Sequence, residues 1–225
     1  MRLSTITLLI VVATTATMSA QFGFTALDGL PTAVERARDS VGSDATLILL
    51  GSGGGVNAGP IPIEFNIDDG KAPLWAYVFR SKQEDRIGTV VVFRLFGYQA
   101  FLLGDTPFPI PQALQTIETK GEYSNSSKMA EKLKTNSTFQ KYRTDIPKAT
   151  PSLVILGQLL GQGVPLPNGF PLKAPIWTIT YTGQGDSAMT CFVASETGLT
   201  FCLRNNRTGV EEGANRSTNS KLWLR

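Results

Sequence analysis

One short stretch occurs twice in the chain and limits the folds that the chain can adopt. Residues 71–75 are Lys-Ala-Pro-Leu-Trp, and residues 173–177 are Lys-Ala-Pro-Ile-Trp. Each copy places a tryptophan two residues after a proline and continues into an alternating pattern, which is typical of a half-buried β-strand. The sequence therefore predicts two equivalent strands in two equivalent units.

The elements around the two copies follow one another in the same order. In each half, a helical pattern precedes a short apolar strand that ends at glycine, and a Gly/Pro-rich loop then leads to the tryptophan strand. A chance match does not readily give several anchors in one order. The anchors are Leu50-Gly51 with Leu156-Gly157, Pro73 with Pro175, and Phe93 with Phe192.

The repeat predicts an α+β fold made of two tandem units, each with one helix packed on an antiparallel sheet. We place the first unit at residues 21–105 and the second at residues 126–204. A proline-rich linker at 106–125 joins them, and a polar, mobile tail follows at 205–225. Trp75 and Trp177 are predicted to lie in the core between sheet and helix, with a role as binding platforms as the alternative.

The end of the second unit resembles a PepSY domain. After the tryptophan strand, residues 192–198 read Phe-Val-Ala-Ser-Glu-Thr-Gly, and the family has a strand that ends in Asp-Ala-x-Thr-Gly. Val193 stands where the family has its acidic residue, and the first unit has Leu-Phe-Gly-Tyr at 95–98 in place of the Thr-Gly turn. The resemblance covers only the last part of each unit. It implies a cystatin-like α+β unit that binds or restrains a partner and brings no catalytic residues.

The chain contains only two cysteines, Cys191 and Cys202. They lie five residues on either side of the Glu196-Thr197 turn, so an antiparallel hairpin would place them opposite each other at bridging distance. We predict a disulfide across this hairpin rather than a redox pair, because the spacing is not Cys-x-x-Cys.

The N-terminus has the layout of a secretory signal peptide. A basic start and an apolar stretch precede small and polar residues up to Ala20, so we place the signal at 1–20 with cleavage after Ala20; a retained apolar anchor is the alternative. No other apolar run is long enough to span a bilayer. The predicted location is extracellular, or periplasmic in a bacterium.

Four N-glycosylation sequons would be used in a eukaryotic secreted protein, at Asn125, Asn136, Asn206 and Asn215.

Several chemistries are excluded or disfavoured by the composition. The chain has no histidine, which excludes Ser-His-Asp and Cys-His catalysis and metal sites ligated by histidine. With 21 basic and 18 acidic residues, no nucleic-acid or anionic membrane partner is indicated. The glycine-rich stretch at 51–59 has no Lys-Ser/Thr pair and precedes prolines, so it is not a phosphate-binding loop.

We therefore expect a secreted, non-enzymatic protein that needs no metal or cofactor and binds a protein or peptide partner, for example at an exposed sheet edge. The first alternative is a structural or assembly subunit of a surface layer or filament. The second is a hydrolase that uses carboxylates, for which Glu64, Asp68 and Asp69 are the candidates.

Overall fold

The computed structural model describes residues 23–53, 57–58, 61–62, 64–94, 96–105, 114–158, 166–184, 187–206 and 209–215. Within these residues the fold is α+β, with three α-helices on a nine-stranded antiparallel sheet. The helices are α1 (Leu30–Ser40), α2 (Ser126–Leu133) and α3 (Ser137–Asp145), and a 3₁₀ turn (Glu122–Ser124) precedes α2.

The described residues form eleven strands, and nine of them make the main sheet. Across the sheet the order is β11-β10-β9-β8-β7-β1-β4-β5-β6, and β2 pairs with β3 as a separate ribbon. The bounds are β1 (Thr46–Ser52), β2 (Asn57–Ala58), β3 (Ile61–Pro62), β4 (Leu74–Ser81), β5 (Arg86–Arg94), β6 (Tyr98–Asp105), β7 (Leu153–Gly157), β8 (Ile176–Gln184), β9 (Ser187–Ala194), β10 (Thr200–Asn206) and β11 (Gly209–Asn215).

The helices form where the sequence has an apolar stripe and suitable ends. Pro31 lies in the first turn of α1, where its missing N–H costs nothing. The side chain of Asn136 caps α3 by accepting a hydrogen bond from the Phe139 N–H at 3.0 Å. The apolar faces of the three helices are buried against the sheet: Ala33, Ala37, Met129, Leu133, Phe139 and Tyr142.

The two halves of the chain meet at the centre of the sheet, where β1 pairs with β7. Leu50 lies opposite Leu156, and the pair Leu49–Gly157 is mirrored by Gly51–Ile155. From this junction the sheet extends through β4, β5 and β6 on one side and through β8, β9 and β10 on the other. The glycine-ended apolar strands that the sequence pairs across the repeat are thus neighbours in space.

One continuous core lies between the sheet and the helices and contains side chains from both halves. Trp75 and Trp177 are both fully buried and meet edge to face, with ring centroids 6.1 Å apart. Each indole N–H donates to a backbone carbonyl that precedes the helix of its own half. Trp75 binds the Phe24 oxygen at 2.8 Å, and Trp177 binds the Tyr123 oxygen at 2.7 Å.

The opposite face of the sheet is covered in part by irregular segments. Leu114 packs on Ile48 and Val78, and the Ile117 N–H donates to the Leu47 carbonyl at 2.8 Å. The described part of the predicted linker is therefore attached to the sheet rather than extended between two bodies. Residues 106–113 lie outside the described residues.

Five details of the sequence interpretation are wrong for the residues that the structure describes. The alternating apolar residues from Ile61 to Ile67 predict a half-buried strand, but β3 ends at Pro62, although Phe65 and Ile67 are buried. Strand β6 was not expected, and the polar tail contributes β11. Phe93 and Phe192 are not equivalent in the sheet. Trp75 pairs with Val92, so Phe93 follows the partner of its tryptophan, whereas Trp177 pairs with Val193, so Phe192 precedes that partner. The second half also has two helices instead of one.

The predicted disulfide joins Cys191 to Cys202. The two residues are direct partners of β9 and β10, their Cα atoms are 4.1 Å apart, and both side chains are fully buried on the helix side of the sheet. The bond therefore holds the hairpin that supports α2 and α3.

Replacing both cysteines with alanine is expected to lower the free energy of unfolding by about 3 kcal/mol, since a loop of this size loses its closure constraint in the unfolded chain. Urea denaturation of the oxidised protein and of the Cys191→Ala/Cys202→Ala variant measures the difference. An unchanged transition midpoint with an unchanged slope would contradict the expected contribution.

The predicted signal peptide at 1–20 and residues 216–225 lie outside the described residues. Among the residues that are described, no helix is both long and apolar enough to cross a membrane.

Candidate functional site

A cleft of about 400 Å³ opens between the two halves of the chain. One wall is the segment from Glu64 to Pro73, which precedes the first tryptophan strand. The other wall is Arg143 at the end of α3 together with Pro147–Pro151, which precedes β7. The cleft thus lies where the irregular segments of both halves meet beside the central strands.

The first wall is a closed loop that is fastened to the second half. The Asn66 N–H donates to the Lys71 carbonyl at 2.7 Å, and the Gly70 N–H donates to the Asn66 carbonyl at 2.9 Å. The Ser126 hydroxyl, at the start of α2, donates to the Gly70 carbonyl at 2.6 Å. This hydroxyl also accepts from the Ala26 N–H at 2.9 Å. The loop is therefore held in place before any ligand arrives.

Charged groups of both signs form the rim of the cleft. Arg143 lies 3.2 Å from Asp68, and Lys71 lies 3.9 Å from Asp69. The Lys134 ammonium donates to the Asp68 carbonyl at 2.7 Å. Glu64 and Lys148 are exposed and line opposite walls. The floor is apolar and includes Phe65, Ile67, Ala72 and Ala149, all of which are buried.

A buried tyrosine packs on Phe139 and Tyr142 of α3, the helix that also carries Arg143. Tyr181 on β8 is fully buried, and its hydroxyl has no hydrogen-bond partner among the described residues. Burial raises the pKa of Tyr181, and the positive charge of Arg143 opposes the rise. The hydroxyl stays protonated at neutral pH, as that of an ordinary tyrosine does.

The three acids proposed for hydrolysis all line the cleft, but their surroundings do not favour acid–base catalysis. Two-carboxylate hydrolysis needs one carboxyl group kept protonated, usually by an apolar environment. The Asp68 and Asp69 side chains are 67% and 46% exposed and lie beside cations. In the part of the chain that the structure describes, no three Asp, Glu, Cys or His residues are grouped as metal ligands.

The other residues singled out from the sequence do not line the cleft. Trp75 and Trp177 are fully buried, so neither offers a surface to a ligand. Asn136 is fully buried as the cap of α3, which leaves no space for a glycan on its amide in the folded chain. Asn125 is half-buried directly before α2, and Asn206 and Asn215 end β10 and β11.

Sequence reasoning found the acids but not the site that they line. The basic partners Arg143 and Lys148 lie in a different half of the chain, more than 70 positions from Asp68. The available signal was the pair of turn-rich stretches, at 64–73 and 147–151, that precede β4 and β7. Once β1 and β7 are adjacent in the sheet, these two stretches are brought to one end of it.

Comparison with known protein families, with curated proteins and with solved structures finds no match to this chain.

Proposed function

We propose that the chain is a secreted, non-enzymatic binding protein made of two fused PepSY-like units, which holds an extended segment of a protein partner in the cleft between them. The observation that carries this proposal is the cleft itself, with its apolar floor and a rim of three carboxylates and three cations. A rim of mixed sign suits a peptide, which presents charges of both signs and apolar side chains, better than it suits a simple anion or cation.

Two correspondences between the halves support the duplication. The central pairing of Leu50 with Leu156 is what a two-fold relation between equivalent strands requires. Both indole N–H groups bind a carbonyl that precedes a helix of the same half. The register between the apolar strand and the tryptophan strand differs between the halves, since Leu50 of β1 pairs with Tyr77 but Leu156 of β7 pairs with Trp177. A difference of two residues keeps both tryptophans on the same face.

Secretion is supported by two independent features. The disulfide between Cys191 and Cys202 is of a kind that forms in oxidising compartments. The basic and apolar start of the chain has the layout of an export signal.

The proposal predicts that the purified protein enriches a set of binders from a phage-displayed library of random dodecapeptides. A Lys148→Glu variant is expected to bind the selected peptides at least ~10-fold more weakly, because the substitution reverses one charge on the cleft rim. Lys173→Glu is the matched control, since Lys173 is also exposed and does not line the cleft. Fluorescence polarisation with labelled peptides gives the dissociation constants.

Failure to enrich any peptide, or equal loss of binding in the two charge reversals, would contradict a binding role for the cleft. Mass spectrometry of the selected peptides after incubation with the protein tests the hydrolase alternative. Cleavage that disappears with Asp68→Asn or Glu64→Gln would replace the binding proposal by a catalytic one.

A further inference from the structure

The two edges of the main sheet are built differently. Beyond the central β1–β7 pair, each half contributes three further strands in sequence order, ending at β6 on one side and β10 on the other. Strand β10 is then covered by β11, which pairs with it along its full length from Thr200 to Asn206. Among the described residues, β6 has no strand on its outer side.

The β6 edge also lacks the residues that usually protect an open strand. Residues 98–104 read Tyr-Gln-Ala-Phe-Leu-Leu-Gly, without charge or proline. Charged residues and prolines are the common means of preventing edge pairing. The outer strand of the other edge, β11, carries Glu211 and Glu212. The ladder between β5 and β6 is regular from Tyr98 to Leu102 and shifts its register beyond Leu102. The regular stretch is therefore a suitable template for pairing with a further strand.

Exposed apolar side chains are concentrated at the same edge. Of the five large hydrophobic residues that are exposed in the described chain, Phe96, Phe101 and Leu103 belong to β6 or to the turn before it. Phe101 is 51% and Leu103 is 62% exposed. The Phe101 ring stacks on Phe93 of β5 at 5.4 Å. The edge therefore presents an apolar surface beside a row of unpaired backbone groups.

We propose that two copies of this chain associate through β6, which pairs antiparallel with β6 of the second copy. In this dimer, β6 of the second copy lies beside β6 in the same way that β11 lies beside β10 at the other edge. A second copy is a suitable occupant because residues 98–104 are uncharged and meet no like charge when they face the same residues of another copy. The contact also buries Phe101 and Leu103 of both copies on one face. Within the described residues each copy has one such edge, so the pairing closes at a dimer.

Sedimentation equilibrium of the purified protein, without any peptide, tests the dimer. Because the regular stretch is only five residues long, the interface is small and the association is expected to be weak. The weight-average mass should rise from the monomer towards the dimer between about 1 µM and 1 mM. Phe101→Lys is expected to raise the dissociation constant at least ~10-fold by placing a charge at the contact. Leu172→Lys, at a side chain that is 58% exposed on the other half, should leave it unchanged.

A monomer mass throughout this range, association beyond the dimer, or equal effects of the two lysine variants would overturn the proposal. Hydrogen exchange of the wild-type protein at the two ends of the range provides a readout that does not depend on a variant folding. Amides in the stretch 98–102 should exchange more slowly at high concentration, and equal rates would also overturn the proposal. Because the protein is measured alone, failure of the peptide-binding proposal does not affect these results.

Discussion

Replacing Trp177 with alanine is expected to lower the free energy of unfolding by about 3–5 kcal/mol, because a large, fully buried side chain is removed from the middle of the core. The variant also leaves the Tyr123 carbonyl without the indole N–H that binds it at 2.7 Å. Trp177→Phe separates the two contributions, since it retains most of the packing and loses only the hydrogen bond, at a cost of about 1–3 kcal/mol. Urea denaturation followed by circular dichroism measures both variants.

The same experiment tests whether the two halves are stabilised together. Trp75 lies 6.1 Å from Trp177 across the junction, so a double-mutant cycle of the two alanine variants should give a coupling energy of about 0.5–1.5 kcal/mol. Phe96→Ala is the control, because Phe96 is fully exposed and should change stability by less than about 0.5 kcal/mol. Additive losses with two separate unfolding transitions would show that the halves unfold independently.

Gly70→Ala is expected to destabilise the protein by about 2–5 kcal/mol, from a strained backbone and a direct collision. Gly70 has φ +71°, and an added Cβ would overlap the Ser126 carbonyl oxygen and lie 2.5 Å from the Ser127 Cα. Both contacts are with backbone at the start of α2, so neither can move away cheaply. The cleft loop would separate from the helix and lose the hydrogen bond from the Ser126 hydroxyl.

Gly169→Ala provides the matched control for Gly70→Ala. Gly169 has φ +85°, and nothing lies within 4 Å of an added Cβ. The Gly169→Ala variant has the backbone strain without the collision, so its free energy of unfolding should fall by only about 1–2 kcal/mol. Thermal unfolding of both variants gives the comparison, and similar losses at the two glycines would mean that the cleft loop is not pressed against α2.

Local patterns were sufficient to predict most of the elements of this fold. The helical pattern before the first apolar strand predicted α1, and the position of Cys191 and Cys202 around a turn predicted their pairing. Strand β6 was missed because the turn before it places Phe96 at φ +56°, a conformation that a bulky residue rarely adopts. Strand β11 was missed because its glycines and glutamates are uncommon in strands.

The arrangement of the elements was beyond what local patterns can give. The repeat predicted two units, but the fusion of their strands into one sheet depends on the long-range pairing of β1 with β7. The cleft depends on the same pairing, because Asp68 and Arg143 are brought together only when the central strands are adjacent. Periodicity reports which face of a strand is buried and does not report which strand lies beside it.

The pairing of Leu50 with Leu156 has a consequence for the rate of folding. These partners are 106 positions apart in the sequence, whereas the other neighbouring strands of the main sheet are much closer along the chain. Closing so long a segment is entropically costly, and contacts of this kind slow the folding of small domains. Each half can form its hairpins locally, so the docking of β1 on β7 is expected to be the late, slow step by which the protein reaches its native state.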